Sequence, residues 1–364
     1  MTIGIDARAA CGERAGKGQY VYYLIKELSL LNLNEQIVLY TNSELDLEEN
    51  PNLKIRKLGM PSLLWHFQCL WYLLFVDKTN IFLATTSFII PFLAPRKCVP
   101  VIMDLVAFLK ITKHQAKATW TERLTVGRAV KKAKKVIAIS ENTKRDLIKL
   151  FSLPPEKVAV IYLAADESFK PGIDEFKLIS AREKYNLPEK YFLFVSTLEP
   201  RKNVVRLIEA YNLARGQNSN FPKLVITGKK GWYYQEIFQT VEKLRLSDSV
   251  QFTAYVNQED LPALYSQSLA YLFPSLYEGF GITILEAMAC GVPVLTSYAS
   301  SLPEVAGSAA WYCDPLNTDQ IATGIKELYQ NENLRHTLID NGLKQAQKFS
   351  FSKMAKETLK SLVL

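Results

Sequence analysis

Ser275-Leu-Tyr-Glu-Gly-Phe-Gly-Ile-Thr-Ile-Leu-Glu-Ala-Met-Ala-Cys-Gly-Val-Pro-Val-Leu-Thr296 is the stretch on which the reading of the fold turns. Just before it, Ala270-Tyr-Leu-Phe273 is an apolar run of strand length, and Pro274 ends it because proline has no N–H for a ladder. Gly279 and Gly281 permit a tight backbone, and Ile282 to Ala289 then winds into a helix. The free N–H groups of the first helical turn and the helix dipole both point at the glycine turn, which makes it an anion site. A diphosphate held there by backbone would leave Glu278 and Glu286 for hydroxyl groups. One carboxylate precedes the turn and the other lies about a turn and a half into the helix, so the two can face one ligand from different sides.

Outward from this stretch the chain alternates strands and helices, the pattern of two parallel-sheet α/β domains. Strands are expected at Thr2–Asp6, Gln36–Tyr40, Leu53–Leu58, Ile81–Ala84, Val99–Met103, Lys135–Ile139 and Val158–Tyr162. A second set is expected at Tyr191–Ser196, Lys223–Thr227, Val250–Thr253, Ala270–Pro274, Pro293–Thr296 and Ala309–Tyr312. Helices fall between them, at Gly18–Leu30, Leu63–Val76, around Lys117–Ala133, and at Glu141–Phe151, with Ser140 as N-cap. In the second half they fall at Val204–Arg215, Trp232–Leu244, Gln258–Gln267, Ile282–Ala289, Leu302–Val305 and Asp319–Gln330. Periodicity is lost from Leu163 to Gly172, a linker. The expected domains are 1–166 and 167–348. A tail helix, 349–364, packs back toward the first. Doubly wound sheets bind ligands beyond the carboxyl ends of their strands.

The Glu278…Glu286 segment resembles the Glu-x7-Glu motif of the retaining glycosyltransferases of family 4. The resemblance runs along nearly the whole chain and is strongest in its second half. It implies the GT-B fold: two doubly wound, Rossmann-like domains facing an interdomain cleft, with 1–166 on the acceptor side and 167–348 binding the nucleotide-sugar donor. It also implies that Glu286 binds the ribose of a nucleotide-sugar donor. Glu278 would lie beside the transferred sugar, and Gly279, Phe280, Gly281 and Ile282 would approach the sugar and phosphates. Phe192-Leu-Phe-Val-Ser-Thr-Leu-Glu-Pro-Arg-Lys-Asn203 is similar to the family's first donor-domain strand and turn. By that likeness Arg201 and Lys202 lean on the diphosphate from the strand end opposite the glycine turn, with Ser196 beside them. Val225-Ile-Thr-Gly-Lys-Lys-Gly-Trp232 is similar to the next strand and exit loop, placing Gly228 and Lys229 near the nucleotide. Glu304, in Ser301-Leu-Pro-Glu, reads as structural.

In the first half, Ile3-Gly-Ile-Asp-Ala-Arg8 and Gly16-Lys-Gly-Gln-Tyr20 resemble the family's opening strand and glycine loop, placing Gly16 and Gly18 near the donor. Neither a Walker A nor a dinucleotide fingerprint fits these glycines. Val101-Ile-Met-Asp-Leu105 departs from the family, whose usual His-Asp is here Met103-Asp104. Asp104 is the remaining candidate to hold the loop or face the acceptor.

Composition agrees with a globular protein: 364 residues, 48% hydrophobic and 22% charged. Five scattered cysteines without Cys-x-x-Cys spacing argue for reduced thiols in a cytosolic protein and against a zinc site. Met1-Thr-Ile-Gly-Ile-Asp6 reads as a strand and not a signal peptide. The net charge of +8 is concentrated between Arg96 and Lys149, where fourteen Lys and Arg face four Asp and Glu. This run is either a solvated face or a contact with an anionic membrane or phosphate-bearing acceptor; no nucleic-acid motif accompanies it. Leu63–Val76 is too short to span a bilayer and apolar nearly all round, which favours a core helix over an interfacial anchor.

The expectation is a retaining hexosyltransferase of glycan or polysaccharide biosynthesis. Its donor would be a nucleoside-diphosphate sugar, GDP-mannose by first choice, and its acceptor a glycan or lipid-linked hydroxyl. It would have no cofactor and no metal, since the chain has no Asp-x-Asp pair. It would be cytoplasmic, with peripheral contact to the inner face of the membrane. The alternatives are a nucleotide-sugar epimerase or hydrolase of the same fold, and a non-catalytic nucleotide-sugar-binding partner.

Overall fold

The computed structural model describes residues 1–12, 16–47, 50–109 and 116–363, the side chains at 62 and 116–122 excepted. The chain forms two compact units. The first takes in the described residues of Met1–Lys110 and His114–Leu163 together with Ser350–Leu364, and the second takes in Ala164–Phe349.

The first unit runs β1 (Thr2–Asp6), α1 (Gly16–Leu30), β2 (Gln36–Thr41), β3 (Leu53–Lys57), α2 (Ser62–Trp71), β4 (Ile81–Ala84), α3 (Ile89–Leu93), β5 (Cys98–Ile102), α4 (Ala116–Lys132), β6 (Val136–Ala138), α5 (Glu141–Phe151) and β7 (Val158–Val160). Its seven strands form one parallel sheet in the order β3-β2-β1-β4-β5-β6-β7. Buried strands such as β5, Cys-Val-Pro-Val-Ile, read as continuous apolar runs because helices cover both faces. Ser140 caps α5, its Oγ accepting the N–H of Thr143 at 3.0 Å. The chain's last helix belongs to this unit and packs on α1, where Tyr23 and Phe351 stack with ring centroids 4.2 Å apart.

The second unit runs α6 (Glu175–Lys184), β8 (Tyr191–Val195), α7 (Val204–Arg215), β9 (Lys223–Thr227), α8 (Gln235–Lys243), β10 (Val250–Ala254), α9 (Leu261–Ser266), β11 (Ala270–Phe273), α10 (Ile282–Ala289), β12 (Val294–Ser297), α11 (Leu302–Ala306), β13 (Ala310–Cys313), α12 (Thr318–Gln330) and α13 (Glu332–Ala346); α14 (Phe351–Val363) is the tail helix. The parallel sheet order is β10-β9-β8-β11-β12-β13. The first strand of the unit thus pairs on one side with the second and on the other with the fourth. That reversal of strand order is the topological switch point of a doubly wound sheet, and it separates the ends of β8 and β11.

All thirteen expected strands are present, most shifted by a residue or two, as frayed ends allow. The helices expected at Trp232 and Gln258 start later, at Gln235 and Leu261. Three helices lack the expected apolar signal: α3 is a single short turn, and α6 and α13 bury few side chains. The core-helix reading of Leu63–Val76 is corrected. Trp65, Cys69 and Leu73 are buried, but Leu64, Phe67, Trp71 and Phe75 are exposed along the other side.

Candidate functional site

β8 and β11 are parallel neighbours, so the segments that follow Val195 and Phe273 leave the same sheet edge side by side. After β8 the chain reaches a 3-10 turn at Pro200–Lys202, ended by Asn203 at a left-handed φ of 62°. Asn203 tolerates that conformation and uses its side chain there: Nδ2 donates to the carbonyls of Pro274 at 2.9 Å and Pro315 at 2.7 Å. After β11, the Leu276 N–H donates to the Arg201 carbonyl at 2.9 Å. These bonds join the two segments into one surface at the switch point.

Glu278 lies at the centre of that surface and is buried. Its Oε1 accepts from Lys202 Nζ and from Ser275 Oγ, each at 2.7 Å, and its Oε2 accepts from Arg201 Nη1 at 2.9 Å. The Glu278 N–H donates to Ser300 Oγ at 2.7 Å, and its carbonyl accepts from Ser301 Oγ at 3.0 Å. Arg201 also pairs with Glu199 at 2.5 Å, giving two acids and two bases in one buried cluster. Burial pushes the Glu278 pKa up, but Lys202 and Arg201 outweigh it and hold the carboxyl at about 2. Burial, with the charge of Arg201, lowers the Lys202 pKa against the opposing pull of Glu278.

Beside this cluster the chain turns at Gly279-Phe280-Gly281. Gly281 is left-handed, with φ of 97°, and a Cβ there would lie 2.7 Å from Leu302 Cδ2, so only glycine fits the turn into α10. Ser301 Oγ donates to the Phe280 carbonyl at 2.8 Å and fixes the turn from behind. No side chain caps α10; the Ile284 N–H turns back to the Gly281 carbonyl at 3.1 Å, and the start of the helix stands at the turn. On the next turn of α10, Glu286 is buried and accepts from Tyr265 Oη at 3.3 Å. Burial drives its pKa up to about 8; the Tyr265 hydrogen bond opposes this and the charge of Asp166 adds to it. Two carboxylates of one motif therefore sit at opposite ends of the carboxylate range, one paired with cations and the other desolvated without one.

The exit of β8 touches that of β9. Gly228 has φ of 147°, and a Cβ on it would fall 1.8 Å from the Ser196 carbonyl oxygen, so the close approach of these two strand ends requires glycine. Ser196 donates its N–H to Thr227 at 3.0 Å. Lys229 Nζ stands 4.2 Å from the centroid of the Tyr255 ring, a cation–π contact.

Ser196, Arg201, Lys202, Gly228, Lys229, Gly279, Phe280, Gly281, Ile282, Glu278 and Glu286 thus lie along one end of one sheet. The relation expected between Arg201–Lys202 and the glycine turn is corrected: they stand on the adjacent strand end and touch Glu278, and are not on an opposite side. Gly16, Gly18 and Asp104 belong to the first unit. Gly16 opens α1 and Gly18, two residues on within the first turn, is buried. Lys17 lines a hollow of about 30 Å³ with Thr85, Met103 and Asp104. Asp104 is exposed, and its Oδ1 accepts the Val106 N–H at 3.1 Å, which holds the loop after β5. The sequence reading missed Glu199, Tyr265, Ser275, Ser300 and Ser301. The signal for the serines was their position at the ends of β11 and β12, adjacent strands of one sheet.

Two family models match the chain: Glycosyltransferase Family 4 over residues 15–169 and Glycosyl transferases group 1 over residues 176–345. O-antigen chain mannosyltransferase B of Escherichia coli is 34% identical over 233 residues, 64% of this chain and 61% of that protein. The matched stretch is thus about three-fifths of that relative's length. Among solved structures, sucrose-phosphate synthase (tll1590) from Thermosynechococcus elongatus has a TM-score of 0.80 at 20% identity, covering 99% of this chain and 97% of the other. Anabaena Alr3699/HepE in complex with UDP and glucose has a TM-score of 0.78 at 19% identity, covering 100% and 99%. At such identities the likeness carries the fold, which is GT-B.

Proposed function

The chain belongs to the glycosyltransferases of family 4 and group 1, and from that premise we propose that it moves a hexose, mannose by first choice, from a nucleoside-diphosphate sugar to an acceptor hydroxyl with retention of configuration. The observation that supports this best is the convergence of Lys202 and Arg201 on Glu278 beside the uncapped start of α10. A diphosphate at the glycine turn would meet backbone N–H groups and two cations in a buried, low-dielectric setting, where charge stabilisation of a departing phosphate is strongest. Glu286, one turn further along α10, would take the ribose hydroxyls. Glu278, already ionised, would face the sugar.

In the proposed reaction the bond from the anomeric carbon to the phosphate oxygen breaks, and a bond from that carbon to the acceptor oxygen forms on the same face. The acceptor proton passes to the departing phosphate oxygen, and a nucleoside diphosphate leaves. Met103 offers no proton acceptor, so a route in which the donor phosphate serves as base suits this chain; Lys202, Arg201 and the α10 N-terminus then orient and stabilise. Asp104 would hold the β5 loop toward the acceptor.

Mannose is preferred because the E. coli relative is a mannosyltransferase of an O-antigen chain, and by the same likeness the acceptor is a glycan of surface-polysaccharide assembly. The test is incubation with GDP-mannose and, in parallel, UDP-glucose, with a lipid-linked glycan acceptor, and assignment of the product anomer by NMR. A product of the donor's own anomeric configuration is expected. Nucleoside diphosphate released without a glycosidic product, or an inverted anomer, would overturn the reading.

A further inference from the structure

Helix α2 and the π-helical turn that continues it, Tyr72–Val76, carry no Asp, Glu, Lys or Arg, nor does the chain from Met60 through Val76. The element has two apolar faces. Trp65, Cys69 and Leu73, spaced by four, are 0–1% exposed against the sheet, with Val38, Tyr40 and Phe82 in the same cluster. Leu64, Phe67, Trp71 and Phe75, in the same helical spacing on the other side, are 50–66% exposed. Met60 and Leu63 extend the ridge at its start, and Val76 at its end. An apolar patch of this length on a surface helix marks a contact site.

What lies beside the ridge indicates what covers it. α3 packs against α2 and, on its other side, against α4. Leu93 of α3 and Leu124 of α4 are exposed, continuing the apolar surface. Arg128 of α4 stacks 5.3 Å from the Phe92 ring and donates from Nε to the Phe92 carbonyl at 3.0 Å, which places a guanidinium at the margin of α3. Arg96 and Lys97, in the 3-10 turn after α3, and Lys131 and Lys132, at the end of α4, are exposed as well. Of the basic run between Arg96 and Lys149, Lys110 and Lys113 lie outside the described residues, as does the side chain of Lys117.

We infer that the α2 ridge is a membrane-interface element: it lies in the surface of an anionic phospholipid bilayer, with Leu64, Phe67, Trp71 and Phe75 in the acyl boundary and the basic residues of the α3–α4 margin on the headgroups. The chemistry fits that occupant. Apolar side chains without charge enter the boundary, an aromatic such as Trp71 sits at headgroup level, and flanking cations meet anionic lipid. A neutral protein groove would gain nothing from these exposed cations, whereas anionic headgroups would. Among the described residues no helix is long and apolar enough to cross a membrane, so the element lies on the bilayer and does not span it.

The experiment uses the full chain and vesicles of phosphatidylcholine with and without phosphatidylglycerol. Flotation should depend on phosphatidylglycerol and fall as salt rises, since the attraction is screened. Brominated lipid should quench tryptophan fluorescence in the wild type and not in Trp71→Phe. Combined Leu64→Ser, Phe67→Ser, Trp71→Ser and Phe75→Ser should cut vesicle partition at least about tenfold with an unchanged melting temperature and nucleotide affinity. A single Phe67→Asp gives the same readout should the combined variant melt early. Equal binding of neutral and anionic vesicles at low salt would overturn the inference. So would full vesicle binding by both ridge variants, or a wild-type dimer that the variants turn into monomers without loss of vesicle binding.

Discussion

Lys202 Nζ lies 2.7 Å from Glu278 Oε1, although 76 positions of chain separate the two residues. The pair forms because β8 and β11 are neighbours in the sheet, so a turn after one and a loop after the other meet at the switch point. Both side chains are buried, and Arg201 and Ser275 complete the ring around the carboxylate. A buried pair of this kind is held by hydrogen bonds on every side, and it answers sharply to removal of either partner.

Replacing Lys202 by Ala should therefore act twice. It removes the cation proposed for the diphosphate, and turnover should fall by about a hundredfold or more, the scale of a lost charge-stabilising donor. It also strands Glu278, with a stability loss on the order of 3 kcal/mol. Steady-state kinetics and chemical denaturation check the two effects separately. Normal turnover in a folded Lys202→Ala protein would remove Lys202 from the site.

Glu278→Gln keeps the shape and removes the charge. Because the carboxylate is assigned to the sugar and not to the nucleotide, turnover should fall far more than affinity for the free nucleoside diphosphate. Equal losses in both would make Glu278 a nucleotide or packing residue. The stability record carries a second signature. The folded pKa of about 2 lies below the ordinary 4.5, so Glu278 stabilises the fold fully above about pH 4.5 and loses that contribution as pH falls toward 2. The acid limb of the wild-type stability curve should flatten in Glu278→Gln.

The two sheets were legible because most of their strands are buried on both faces and read as apolar runs, such as Tyr191–Val195, while the edge strand Leu53–Lys57 is charged and largely exposed. The glycine turn and both glutamates were legible because local chain geometry creates them. The ion cluster was not, because its contacts span the sheet: nothing near Arg201 in sequence announces Glu278. Nor was the exposure of α2. An element apolar on every side gives no periodicity from which to choose a face, and only the packing of Trp65, Cys69 and Leu73 shows which one is left over. α6 escaped notice because it buries little besides Ala181 and so carries no apolar stripe.

Arg201, Lys202 and the N–H groups at Gly279–Gly281 are proposed to supply at the diphosphate the positive charge that a divalent cation supplies elsewhere. Turnover should accordingly survive an excess of EDTA. Loss of activity with EDTA and its return with manganese would overturn that assignment.

Glu286 makes the sharpest pH prediction. Burial holds its pKa at about 8, so at neutral pH the empty site carries mostly the protonated acid. Two ribose hydroxyls are donors, and accepting from both favours the carboxylate. Nucleotide binding should then expel a proton from Glu286, and affinity should rise with pH up to about 8, by at most tenfold per unit. Glu286→Gln should weaken binding by about tenfold or more and lose this pH dependence, because each charge-assisted hydrogen bond is worth about 1.5–3 kcal/mol. Titration calorimetry in buffers of different ionisation enthalpy counts the released protons, and comparison of the two proteins cancels the titration of the ligand's own phosphates. The same shift sets stability in the opposite sense. A folded pKa raised from 4.5 to about 8 lets the neutral acid be buried at low pH and penalises the fold as pH rises through that window. Glu286→Gln should therefore melt like the wild type near pH 4.5 and gain over it by roughly 1.4 kcal/mol per unit up to about pH 8. Equal proton release by the two proteins, with parallel stability curves, would remove Glu286 from the ribose and make it a packing residue of α10.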